Sequence, residues 1–142
     1  MEIYHLERDW KALCITAESF PEGVLPAHQK LHSIIPFSDD RKYFGISRPI
    51  QDGTIIYKAG AELLSEDKYE QASLESFIIK AGTYISITIQ NYMEDIPAIG
   101  KAFEKLLSDP RIDPQGACIE WYLNNKKVQC MIRLDAKYSQ FL

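Results

Sequence analysis

The segment Cys118-Ile119-Glu120-Trp121-Tyr122-Leu123-Asn124 sets one carboxylate among apolar and aromatic neighbours. It reads as a strand, in which successive side chains alternate between faces. Ile119, Trp121 and Leu123 then point one way, and Cys118, Glu120 and Tyr122 the other. A carboxylate sheltered in such surroundings is costly to keep ionised unless something pairs with it. A cationic or hydrogen-bonding ligand would be one such partner. An internal alternative is Arg133, diagonally across the hairpin that this strand opens. Tyr84, Tyr122, Tyr43 and Met131 suit the walls of such a site, since rings and a thioether accept flat organic groups. A desolvated cation held over an aromatic face gains about 1 kcal/mol or more. Trp10 would close one end of the groove, and Trp121 is assigned to the core.

Other chemistry finds less support. His28 and His32 have the one-turn spacing that can hold zinc. No glutamate directly follows His28, and no third ligand is evident, so a packed histidine is expected and no metal site. Gly53, Gly60 and Gly82 stand singly, which is not a phosphate-cradling loop, and no cofactor is expected. Ser47, Ser86 and the cysteines have no histidine partner identifiable from spacing. Cys14, Cys118 and Cys130 are odd in number and scattered, the usage of a reduced cytoplasmic protein. A Cys118–Cys130 disulfide is conceivable, but alternation sets those two on opposite faces.

A chain of 142 residues with 46% hydrophobic and 25% charged residues is expected to be one soluble globular domain. The net charge of -4 and the lack of a basic run beyond Lys126-Lys127 argue against direct nucleic-acid binding. No apolar run approaches the roughly 20 residues of a membrane helix. The start, Met1-Glu2-Ile3-Tyr4-His5, lacks a basic-then-apolar leader, so a cytoplasmic location is expected.

The elements that must position these residues follow in the same order twice: strand, helix, two strands. In the first half a strand runs from Lys11 to Ala17, and a helix follows Glu22-Gly23 with Val24, Ala27, Leu31, Ile34 and Ile35 on its apolar face. Pro36 stops that helix. Tyr43 to Ser47 and Thr54 to Lys58 are strands around Gln51-Asp52-Gly53. The softest point is Ser65 to Gln71. In the second half Phe77 to Ile89 is β-rich, with Gly82 as a bend or bulge. Asp95 is expected to cap the next helix, whose stripe is Ile96, Ile99, Phe103, Leu106 and Leu107. The last two strands turn at Asn124 to Lys127. Matching their patterns pairs Leu123 with Val128, Trp121 with Cys130 and Ile119 with Ile132, under the helix. The opposite face then carries Tyr122 beside Gln129, Glu120 beside Met131 and Cys118 beside Arg133. Leu25-Pro26-Ala27 aligns with Ile96-Pro97-Ala98, and Gly45 then stands where Glu120 stands.

Ala81-Gly82-Thr83-Tyr84, an acid-containing loop, the helix to Leu107 and Glu120-Trp121-Tyr122-Leu123-Asn124 together resemble the GyrI-like small-molecule-binding family, the effector-binding domain of AraC-type and BmrR-type transcription regulators. The resemblance spans nearly the whole chain and is most specific in the second half. It implies an α+β fold of two strand–helix–strand–strand modules in pseudo-twofold arrangement, with an antiparallel sheet, helices on one face and ligands in a central groove. The whole chain, 1–142, would be one such domain with halves of about 1–68 and 69–142. The family's groove glutamate carries over to Glu120, and its tyrosine positions match Tyr84 and Tyr122. The chain departs after Asn124, where the family often continues Asp-Pro and this sequence has Asn125-Lys126.

The resemblance implies a stand-alone sensor or multidrug-binding domain for amphipathic, aromatic or cationic molecules. It would lack a helix-turn-helix segment and act alone or through a protein partner. A second implied reading is a hydrolase of electrophilic aromatic natural products, with Glu120 as general base. A third is a gyrase-inhibitor-like protein.

Overall fold

A computed structural model describes residues 1–49, 52–69 and 74–139. Gln51 of the expected turn, and Glu70 and Gln71 of the soft point, lie outside them. The chain divides into two compact units, 10–79 and 1–9 with 80–142. The first strand therefore belongs to the same compact unit as residues 80–142.

The 10–79 unit contains β2 (Trp10–Thr16), α1 (Val24–Ile34), β3 (Tyr43–Pro49), β4 (Ile55–Glu62) and β5 (Glu75–Ile79). Its antiparallel sheet has the order β3-β4-β2-β5. Ala27 and Leu31 bury one side of α1, and Ile35 follows them. On β4, small residues (Ala59, Gly60 and Ala61) let the neighbouring strands and α1 pack closely. Arg41 ties the entry to β3 to the segment after β4. Its Nη2 donates to Asp67 Oδ1 at 3.0 Å and its Nη1 to the Glu62 carbonyl at 2.8 Å. Asp67 Oδ2 also accepts the Leu64 N–H at 2.7 Å. The guanidinium holds the Asp67 carboxyl below its usual range.

The other unit contains β1 (Glu2–Leu6), β6 (Gly82–Gln90), α2 (Pro97–Leu107), β7 (Cys118–Tyr122), β8 (Lys127–Arg133) and the short α3 (Ala136–Ser139). Its antiparallel order is β1-β6-β8-β7. Each unit thus repeats strand, helix, strand, strand, with a fourth strand beside the first. In one unit that strand is β5, from the same stretch of chain; in the other it is β1, from before the first unit. Among the described residues no helix is long and apolar enough to cross a membrane.

Three expectations are corrected at this level. Gly82 is not a bulge inside one long strand. It starts β6 after a break, at φ +145°, and β5 and β6 pair with strands of different units. That conformation favours glycine, and a Cβ there would also lie 2.7 Å from Arg133 Nε, so the end of that side chain would have to shift. Asp95 does not cap α2 with its side chain; Ile96 holds the cap position and Pro97 opens the helix. Ile96 and Leu107 are exposed rather than part of the buried stripe, which is Ala102, Phe103 and Leu106 with Ile99 beside them.

The expectation for the histidines is met for His28, which packs within its unit. Its Nε2 lies 2.8 Å from the Tyr57 hydroxyl, and their rings meet edge to face. Burial, and then the charge of His32, push the His28 pKa down from 6.5 to about 4. The unfolded chain therefore binds the proton more tightly than the folded one. Stability from this site is full above about pH 6.5 and is lost as pH falls toward about 4. Thermal midpoints across that window should fall with acidification in the parent protein. His28→Gln should flatten the slope, since its amide can meet Tyr57 without titrating; an unchanged slope would remove His28 as the cause.

Candidate functional site

The site is set by the β7–β8 register. Ile119 pairs with Met131, Glu120 with Cys130, Trp121 with Gln129 and Tyr122 with Val128. This is one residue away from the register expected from the hydrophobic pattern, and a one-residue slip exchanges the faces. The core under α2 is built from Ile85, Val128, Cys130, Ile132 and Leu134 with Ala102, Phe103 and Leu106; Cys118 and Tyr122 pack at its margin. Glu120 therefore points to the α2 side, with Cys118 and Tyr122. Ile119 and Trp121 lie on the opposite face, Trp121 edge to face with Tyr4 at 5.8 Å. The pattern misled because both faces of this sheet are apolar: Ile119, Met131 and Tyr84 are as buried as the residues under the helix.

Glu120 Oε1 accepts a hydrogen bond from the Tyr122 hydroxyl at 2.7 Å, from two residues along the same strand. Tyr92 brings a second ring, 5.7 Å from that of Tyr122 and tilted by 39°. It stands on a 3-10 turn, Tyr92–Glu94, that follows Asn91 in the left-handed conformation and enters α2. Its N–H donates to the Lys126 carbonyl at 3.1 Å, which fixes the turn against the β7–β8 hairpin. Met93 and Ile96, on either side of the exposed Glu94 and Asp95, are exposed too.

No described ion pair includes Glu120. Arg133 is not its partner. It pairs with Tyr84 in the ladder, on the face away from α2, where its Nε donates to the Ala81 carbonyl at 3.0 Å. Its Nη1 lies 3.4 Å from Asp113 Oδ2. Glu120 keeps some solvent contact. Even so, enough protein surrounds its carboxylate for burial to raise the pKa, against the smaller lowering effect of the Tyr122 bond. The carboxylate in turn raises the Tyr92 pKa, after burial, and contributes with burial to a Cys130 thiol pushed up to about 12. Cys118 and Cys130 share this face, contrary to expectation, and neither is in a disulfide.

The expected lining residues do not all converge. Tyr122 joins Glu120. Tyr84 and Met131 are buried on the other face; the Tyr84 hydroxyl donates to the Lys80 carbonyl at 2.6 Å, and burial pushes its pKa up to about 12. In the 10–79 unit, Tyr43 lies on the α1 side of its sheet, 5.1 Å from the His32 ring and 5.0 Å from Phe37. Its hydroxyl accepts the Ser38 N–H at 2.7 Å. Trp10 lies on the reverse of that sheet, stacked on Phe44 at 5.9 Å with Lys42 Nζ 5.1 Å from its ring. Tyr43 and Trp10 are thus on opposite faces. That unit also has a hollow of about 310 Å³ lined by Ala17, Glu18, Ser19, Phe20 and residues Gly53 to Ile56, none of them expected site residues. Among the described residues no group of three His, Cys, Asp or Glu could hold a metal ion.

Tyr92 was missed by the reading of the sequence. The signal was present: β6 places Ile85, Ile87 and Ile89 on the α2 side, so an aromatic ring in the turn joining β6 to α2 is directed over that same face.

No protein-family model matches the chain, and no curated protein matches its sequence. Among solved structures, an integron cassette protein from the mobile metagenome of Vibrio cholerae is similar with a TM-score of 0.68 at 12% identity, over 94% of this chain and 95% of that one. SAV2435, solved bound to tetraphenylphosphonium, is similar with a TM-score of 0.62 at 10% identity, over 96% of this chain and 94% of that one. At such identities the likeness establishes a shared fold.

Removing the Tyr122 hydroxyl should leave Glu120 without its hydrogen-bond donor while preserving the ring. Tyr122→Phe is expected to raise the Glu120 pKa further, read from the side-chain carboxyl carbon by NMR titration. An unchanged value would show that the bond does not act on the carboxylate in solution.

Proposed function

We propose that this protein binds small organic cations on the α2 side of β7, as a sensor or sequestering domain of the GyrI-like type. One observation carries this reading: Glu120 is a sheltered carboxylate flanked by Tyr122 and Tyr92, and none of the described ion pairs neutralises it. A cation at this position supplies the missing charge, and the two rings offer it π faces. Exposed Met93 and Ile96 beside Tyr92 provide apolar surface for the rest of an amphipathic molecule. The fold shared with SAV2435, which was solved with tetraphenylphosphonium, supports the same class of ligand. The paired units, each strand–helix–strand–strand, support the effector-domain reading and its related halves.

The hydrolase reading uses the same carboxylate as a base. Cation binding is favoured because the groups around Glu120 are a phenol that donates to it, a second ring and a buried thiol of high pKa, and no histidine is among the influences on its carboxyl.

Equilibrium dialysis with tetraphenylphosphonium tests the proposal. Glu120→Gln keeps the shape and removes the charge. It should weaken binding by about 2 kcal/mol, or roughly 30-fold, the order expected for losing a charge-assisted contact. Equal affinity in the two proteins would refute it.

A further inference from the structure

If the cation site proposed above is correct, its carboxylate has a further consequence. We propose that the site takes up its cation in exchange for a proton, so that Glu120 is a carboxylic acid in the empty protein and a carboxylate in the filled one.

The geometry leaves few alternatives for neutralising Glu120. From β8 the directly facing residue is Cys130, flanked by Val128 and Ile132. Its thiol stays protonated, with a pKa of about 12. Along β7 itself the same face carries Cys118 and Tyr122. The turn before α2 contributes Tyr92. From α2, Ile99, Ala102 and Phe103 join the same core, while its charged residues Lys101, Glu104 and Lys105 are exposed and none of them is among the influences on the Glu120 carboxyl. None of the described ion pairs gives Glu120 an internal counter-ion. A partly buried carboxylate in such surroundings has one other way to shed its charge, which is to bind a proton. The Tyr122 hydroxyl, donating to Oε1, leaves Oε2 as the atom to hold it. The upward shift of the Glu120 pKa agrees in direction.

Binding then balances simply. The O–H bond of the Glu120 acid breaks, the proton passes to solvent, and the carboxylate left behind faces the incoming cation. Nothing is oxidised or reduced. Affinity for a permanent cation should rise about ten-fold per pH unit below the Glu120 pKa of the empty protein, and level off above it. A neutral molecule of similar shape has no charge to exchange, so its affinity should not rise with pH. The exchange gives the site a release mechanism, since acidification alone would expel the cation.

The test is calorimetric titration of tetraphenylphosphonium, run below the levelling point in two buffers of different ionisation enthalpy. The difference in heat counts the protons released. Triphenylphosphine oxide serves as the neutral comparison, and the carboxyl carbon of Glu120 is followed by NMR in the empty protein. The expected result is release approaching about one proton per cation at the low end of the pH range, none for the oxide, and none in Glu120→Gln checked for native folding by circular dichroism. Glu120-dependent cation binding with no proton release would overturn the exchange and leave the cation site standing. So would an NMR titration showing Glu120 already ionised in the empty protein throughout the range where binding varies. Absence of cation binding at every pH would overturn both.

Discussion

The hydrogen-bond register between β7 and β8 is the constraint on which the site depends. It sets Glu120 across from Cys130, on the side of the sheet that α2 covers, and sends Ile119 and Trp121 to the reverse. Because strand side chains alternate, the opposite parity would have put the carboxylate beside Arg133 and Met131 and made it a structural ion pair. The observed parity separates the two charges by the thickness of the sheet. Arg133 is satisfied by Ala81 and Asp113, while among the described residues the hydrogen-bond partner of the Glu120 carboxylate is a neutral phenol. A pair that would have stabilised the fold is thereby replaced by an uncompensated group, and uncompensated buried groups gather where proteins bind or react.

The supporting elements serve this placement. Phe103 and Leu106 of α2 pack with the buried residues of β6 and β8, and Cys118 and Tyr122 of β7 rest against the margin of that core. The hairpin between β7 and β8 is tightened by Asn124, whose Oδ1 accepts the Lys126 and Lys127 N–H groups at 2.8 Å each. The Lys126 carbonyl then receives Tyr92. A single polar turn therefore fixes the strand register and also holds the aromatic ring beside Tyr122.

Much of the architecture was legible in the amino-acid sequence. Leu31 and Leu106 sit on strong helical stripes, Pro36 ends one helix and Pro97 starts the other, and these produce α1 and α2 with nearly the expected bounds. Glu120 stood out because a carboxylate among Ile, Trp and Tyr has few bland explanations. The parity of β7 was not legible. Alternation reveals a face only when one side is polar, and here Trp121 and Ile119 are as apolar as their neighbours on the other side. The partner of Ile3 and Tyr4 was hidden for another reason: β1 is short, half-exposed and pairs with β6, far along the chain, so no local pattern announces it. Tyr84 and Met131 were misgrouped as a direct result of the register error.

The place of β1 also bears on how the chain comes off the ribosome. Every strand of the 10–79 unit is available once residue 79 has been made, whereas β1, synthesised before that unit, has no β6 to pair with until residues 82–90 follow it. The 10–79 unit can thus acquire its native pairing while β1 is still waiting, and the unit completed later is the one whose first strand was made earlier.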